Sequence, residues 1–433
     1  MPKDAVAVVG LGYVGLPLAC LLAESGSHTT GVDIDPAKIR TIMSGRSPIV
    51  GEEPGLPELI EKVVKDGLLV ATDNIKEISK VAAIFICVDT PVRDRMPDLT
   101  ILKDVLRNVG KNIKKGQLVS VESTLPAGTC ASTVIPLLEG NSGLKAGRDF
   151  SLVHCPERVM PGKLLGNMWG VERVLGGVDS QSIKKGAYFY SKFVKAELHP
   201  TDLLSAEISK TAENAYRDVQ IAFANEVALL CEALGGDAFE VRRLVNTSPY
   251  RDMHIPGSGV GGHCLPKDSW LLLSSAPEFK AKVMPAARDI NEMMPHHLAE
   301  MAWTSVKKTI SSGSRPKIAV MGLAFLKNSD DTRNSPSIVV IDDLKDRADL
   351  VVHDPFVKEP YIVPLLRGVY DALRGADCAI FVTDHSAYQS LDLDEMKKVM
   401  RTPLIVDGRN IFNASDVRKK GFKYAGIGKG RSG

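Results

Sequence analysis

The residues best equipped for chemistry lie in Gly257-Ser-Gly259-Val-Gly261-Gly262-His263-Cys264-Leu265-Pro266-Lys267-Asp268. Cys264 stands three residues before a lysine and four before an acid, behind four glycines that let backbone approach a ligand. A thiolate nucleophile needs access and nearby positive charge to lower its pKa, and Lys267 or another cation supplies that charge. Cys264 is therefore read as a nucleophile; the bland alternative is a buried cysteine in a glycine-rich turn. The cysteines at 20, 87, 130, 155, 231 and 378 are scattered and form no C-x-x-C, so they read as core thiols of a chain in a reducing, cytoplasmic setting. The same scatter points to no metal. Lys210 and Asn214 form a second candidate pair. Four residues apart on a helix they share one face, where an ammonium and a carboxamide can stabilise an alkoxide as hydride leaves. Beside Glu207 and Glu213 the pair also reads as an ordinary solvated face.

A third constellation binds rather than reacts. Gly10-Leu-Gly12-Tyr13-Val14-Gly15 follows the apolar run 5–9 directly and opens an apolar helix. In G-x-G-x-x-G the first glycine makes a tight turn and the second admits a pyrophosphate against the backbone. The third lets helix and strand pack, and the helix N-terminus favours the anion. Asp33, at the end of the next strand, accepts from ribose hydroxyls and repels a 2′-phosphate, which selects NAD over NADP.

These residues need elements to hold them. Strands are expected at 82–88, 118–121 and 151–154, each leading into a polar or proline-bearing loop, where ligands bind in parallel sheets. Residues 201–234 carry helical spacing with few breakers, capped by Thr201 or Asp202 and stopped by Gly235-Gly236; another helix is expected over 288–310. After the polar break 311–314, strands recur at 317–321, 350–353, 378–382 and 404–406, without a second G-x-G-x-x-G. The expected architecture is α/β: two Rossmann-like doubly wound domains, 1–198 and 306–433, joined by a central helical domain, 199–305, with a long spine helix. Such a helix suits a homodimer or dimer-based oligomer.

Composition narrows the partners. With 54 Lys+Arg against 52 Asp+Glu the net charge is +2, which argues against a nucleic-acid coat. Residues 5–23 carry no charge, nearly a membrane span, but three glycines and Pro17 make them a strand, turn and helix start; no membrane role is expected.

Several motifs in order make the chain resemble the UDP-glucose/GDP-mannose dehydrogenase family. They are the opening G-L-G-Y-V-G-L, Cys87-Val88-Asp89-Thr90-Pro91, Ser123-Thr124-Leu-Pro-Ala-Gly128-Thr, Pro156-Glu157, Lys210-x-x-x-Asn214 and G-x-G-G-x-C-x-x-K-D. Phe325-Leu-Lys327 before Asp331-Thr-Arg333, and Asp407-Gly-Arg409, match as well. The resemblance implies a four-electron oxidation of a UDP-sugar C6 alcohol to the acid with two NAD⁺, through a thiohemiacetal and a thioester on Cys264. It implies that Lys210 and Asn214 stabilise oxyanions and that Asp268 assists proton transfer or orients a lysine. Thr124 and Glu157 would place water and proton; the general base stays open. Thr90, Thr124, Lys267 and Arg333 would touch the cofactor, and Glu157, Arg158, Arg251, Gly261, Lys327 and Arg409 the sugar nucleotide. Pro156-Glu157-Arg158-Val-Met-Pro161-Gly162 resembles the UDP-N-acetylhexosamine branch, with UDP-N-acetyl-D-mannosamine first. Lys267-Asp268 and the shifted Tyr250-Arg251 keep UDP-glucose, UDP-GlcNAc and UDP-GalNAc open. A two-electron hydroxyacid dehydrogenase would leave Cys264 without a task, and a non-catalytic NAD and sugar-nucleotide sensor would need no nucleophile. The product would feed polysaccharide or glycan synthesis.

Overall fold

The computed structural model describes residues 4–49, 51–310 and 315–430, so the expected polar break at 311–314 lies outside the described residues. The chain divides into two compact units, Met1–Glu213 with Trp270–Phe279, and Asn214–Ser269 with Lys280–Gly433.

The first unit is built on strands β1 (Val6–Val9), β2 (Thr29–Val32), β3 (Leu69–Thr72), β4 (Ala83–Ile86), β7 (Leu118–Val121), β8 (Ser151–His154), β9 (Arg173–Gly177) and β10 (Leu198–Asp202), with a small hairpin, β5 (Val92–Arg93) and β6 (Met96–Pro97), after β4. The sheet order is β10-β9-β8-β7-β4-β1-β2-β3. Alternate residues of the central strands enter two separate apolar clusters. Val6, Val8 and Phe85 face one, and Ala7, Val9, Ile84 and Ile86 face the other. Burial on both faces is why these strands read as unbroken apolar runs. The sheet is not parallel throughout, because β9 runs antiparallel to β8, with Val153 opposite Gly177. β10 then pairs parallel with β9 and takes up Thr201 and Asp202, two residues expected in the long helix.

The second unit repeats the plan with β11 (Lys317–Met321), β12 (Asp349–His353), β13 (Leu365–Leu366), β14 (Cys378–Phe381), β15 (Leu404–Asp407) and β16 (Lys423–Gly426), in the order β13-β12-β11-β14-β15-β16. Each neighbouring pair of strands in this sheet runs parallel. The repeat extends to detail. Leu11 N–H donates to Asp33 at 2.8 Å after β1, and Leu323 N–H donates to Asp354 at 2.7 Å after β11.

Helix Leu203–Leu234 begins where Asp202 caps it by accepting from Ser205 N–H at 2.9 Å. Helix Val283–Lys307 starts five residues earlier than expected, because Pro285 sits in its first turn, where no intrahelical donor is needed. Among the described residues no helix is long and apolar enough to cross a membrane.

Candidate active site

In the first unit the glycines of the opening motif have three distinct reasons. Gly10 has φ +92°, and a Cβ there would lie 2.4 Å from Cys87 O. A Cβ on Gly15 would lie 1.8 Å from Gly10 O, whereas one on Gly12 would meet nothing within 4 Å. Gly12 therefore faces the open space that a pyrophosphate needs, beside the start of helix Gly15–Glu24. Asp33 completes the cradle. Burial pushes its carboxyl up, but donation from Lys38 Nζ (2.8 Å) and from the Leu11 and Asp35 N–H groups outweighs this and holds it below the usual range. These residues fit NAD; Tyr13 and Val14 lie half-buried in the same turn.

Thr90 and Thr124 are brought together at the carboxyl ends of β4 and β7, where Thr90 Oγ1 donates to Thr124 O at 2.6 Å. The strands beneath them rest on a fully buried ion pair, Arg173 with Glu122 at 3.1 Å, and Tyr190 also donates to Glu122. Cys155 lies against Arg173, and burial pushes its thiol up to about 12, which suits a structural residue. Glu157 is buried and accepts from Val159 N–H at 2.6 Å. Arg158 is held by Glu213 at 2.8 Å and donates to Glu172 O. Lys210 is buried on the long helix.

The second unit carries Cys264, the candidate nucleophile. Asp268 N–H donates to Cys264 O at 3.0 Å, so Cys264 caps helix Leu265–Ser274. The partial positive charge of that helix start favours an anionic sulfur. Asp268, fully buried, accepts from Lys267 Nζ at 2.7 Å and from Asn214 Nδ2 at 2.6 Å. One carboxylate thus fixes both a cation and a carboxamide. The glycines before Cys264 are filled by protein. A Cβ on Gly257 would meet Arg409 Nη1 at 2.9 Å, and one on Gly261 would meet Phe325 Cβ at 2.5 Å. Gly259 faces Pro295 and Gly262 the Phe325 ring. Packing within the unit, rather than approach to a ligand, explains glycine at these four positions.

Arg409 is aimed by donation to Val382 O at 3.0 Å. Arg333 is gripped by Asp331 at 2.6 Å, and its carbonyl accepts from Gly262 N–H. Lys327 is exposed on the loop after β11. Arg251 is exposed beside Tyr250, which holds φ +63°. No motif in the sequence pointed to Glu53, Glu122, Arg173 or Glu207; each is buried and polar, a property that spacing does not reveal.

Three family models match consecutive parts of the chain. They are the NAD binding domain of the UDP-glucose/GDP-mannose dehydrogenase family over 4–194, its central domain over 204–293 and its UDP binding domain over 319–414. The UDP-N-acetyl-D-mannosamine dehydrogenase of Pyrococcus horikoshii is 39% identical over 430 residues, covering 98% of this chain and 99% of the relative. The solved UDP-D-ManNAc dehydrogenase of that organism aligns with a TM-score of 0.92 at 38% identity, over 98% of this chain and 99% of that one. An NDP-N-acetyl-D-galactosaminuronic acid dehydrogenase structure from Methanosarcina mazei Go1 gives 0.87 at 38% identity, over 99% and 96%.

Proposed function

The chain belongs to the UDP-glucose/GDP-mannose dehydrogenase family as an NAD-dependent UDP-sugar dehydrogenase, and from that premise we propose that it oxidises the C6 hydroxyl of a UDP-N-acetylhexosamine to the uronic acid, with UDP-N-acetyl-D-mannosamine as substrate and glycan or polysaccharide precursor supply as its task. The observation that carries the chemistry is Cys264 at the start of helix Leu265–Ser274, one turn from the Lys267–Asp268–Asn214 network. The substrate reading is supported by the Pro156–Gly162 motif and by relatives named for N-acetyl sugars.

Bound NAD⁺ supplies the hydride acceptor in both two-electron steps. The C6 hydroxyl gives up its proton and C6 itself a hydride, leaving an aldehyde. The sulfur of Cys264 adds to the carbonyl carbon and forms a thiohemiacetal, from which a hydride can leave again to give the thioester. Water then breaks the C–S bond, releasing the carboxylate and restoring the thiol. Lys210 and Asn214 donate to the oxyanions formed at each stage. Thr124 and Glu157 position water and proton. Asp268 is assigned orientation, because each of its oxygens already accepts from Lys267 or Asn214. Lys327 and Arg409 suit the diphosphate as cations. The three segments matched by the family models support a division into an NAD-binding domain, a central helical domain and a sugar-nucleotide domain.

The test is stoichiometry. Purified protein given NAD⁺ and UDP-ManNAc, UDP-GlcNAc, UDP-GalNAc or UDP-glucose should form two NADH per uronic acid, fastest with UDP-ManNAc. One NADH per sugar would sink the four-electron mechanism, and another preferred sugar would move the substrate. Cys264→Ser should abolish acid formation and leave NAD binding intact; unchanged turnover would remove the nucleophile from Cys264.

A further inference from the structure

Glu207 lies one turn before Lys210 on the long helix, among residues whose spacing suggests a solvated face, yet it is 1% exposed. Its Oε2 accepts from Gly128 N–H and its Oε1 from Cys130 N–H, both at 2.6 Å. These donors lie at the end of the loop that carries Thr124, where a π-turn (Cys130–Val134) leads into helix Ile135–Ser142. The start of such a segment leaves backbone donors without intrahelical acceptors, and a carboxylate from a different helix takes two of them. Gly128 holds φ +80°, a conformation that turns the loop there. Burial pushes the Glu207 carboxyl up although the backbone donors favour its charge.

We propose that Glu207 is a positioning residue, whose paired bonds to Gly128 and Cys130 lock the Thr124 loop to the helix turn that carries Lys210. The proposal rests on the reading of Thr124 as part of the reaction. Side-chain placement within a fraction of an ångström matters to such a site, since a misplacement of ~1 Å can cost ~100-fold in rate. Glu207 exerts that control without touching substrate. A carboxamide at 207 would set its NH₂ against one of two N–H donors, so the loop would be released at one end.

A double-mutant cycle in kcat, with NAD⁺ and UDP-ManNAc as probes, tests this. Glu207→Gln should lower kcat by about 10- to 100-fold while KM for the sugar moves by less than about threefold. Glu207→Asp, which keeps one charged acceptor, should recover part of the loss. In a Thr124→Ala background Glu207→Gln should cost less than about threefold, because the loop no longer has that side chain to place. Multiplicative effects, or a Glu207→Gln enzyme with wild-type kcat, would overturn the positioning role. A Thr124→Ala enzyme with wild-type kcat would instead overturn the underlying reading of Thr124. If Glu207→Gln does not fold, the same cycle run with Glu207→Asp decides the question by the same criteria.

Discussion

At the scale of single residues, carboxylates do most of the organising. Asp268 holds Lys267 and Asn214, Glu53 accepts from Gly162 and Leu164 N–H, and Asp33 holds both the glycine turn and Lys38. The Asp33–Lys38 pair carries a consequence for cofactor choice. While Asp33 is charged it repels a 2′-phosphate, and Lys38 is neutralised by it. Asp33→Asn removes the repulsion and leaves the ammonium to face the phosphate. The variant should raise KM for NAD roughly tenfold, about the worth of one charged hydrogen bond, and should lower KM for NADP. Steady-state kinetics with both cofactors measures this; an unaltered NADP KM would refute the role given to Lys38.

At the scale of elements, the two sheets share a plan but fill it differently. After β1 a Cβ on Gly12 would meet open space, whereas after β11 the matching position holds Ala324, which is fully buried. Gly322 is pressed against Thr383 much as Gly10 is against Cys87 O, but Asp354 is taken by His385 at 3.1 Å and by the Leu323, Ala324, Phe356 and Val357 N–H groups. His385 Nδ1 accepts from Asn328 N–H, which leaves its proton on Nε2 for Asp354. Burial alone would raise the Asp354 carboxyl, but these donors win and hold it at about 2, below the ordinary carboxylate value of 3.8. A carboxyl lowered on folding stabilises the fold above its unfolded pKa, and that contribution is lost as pH falls from about 4 through 2. The amount is about 2 kcal/mol. Asp354→Asn should therefore be destabilised at neutral pH by at least that much, and its deficit relative to the parent should shrink in acid. Denaturant unfolding at stepped pH reads the difference. A deficit constant from pH 6 to pH 2 would show that the Asp354 charge contributes nothing.

At the scale of the molecule, Tyr216, Phe223 and Leu230 recur every seven residues along the long helix and are 66%, 58% and 56% exposed, with Leu234 following. Heptad spacing puts them on one face, the pattern of helices that pair. From this stripe we propose the homodimer or dimer-based oligomer that the long helix leads one to expect. Phe223→Glu should convert the dimer to monomer in sedimentation; a monomeric parent, or a variant that stays dimeric, would remove the stripe from assembly.

What the sequence determined by itself was everything governed by local order along the chain. The strand-glycine-helix opening, the strands 118–121, 151–154 and 317–321, the long helix and the candidate nucleophile are set by periodicity, steric rules and motif spacing. These rules act over a few residues and survive without tertiary context. The antiparallel turn of β9 and the edge strand β10 were not legible, because strand direction depends on partners far along the chain. The meaning of buried charge was hidden for the same reason. Glu207 and Glu213 stand six residues apart on one helix, yet one is sealed against Gly128 and Cys130 while the other meets Arg158 at the surface. Nor could glycine spacing reveal that Gly261 and Gly262 make room for Phe325. Only the tertiary structure decides such matters, since desolvation and hydrogen-bond partnership are properties of what the fold brings near, and composition along the chain does not encode them locally.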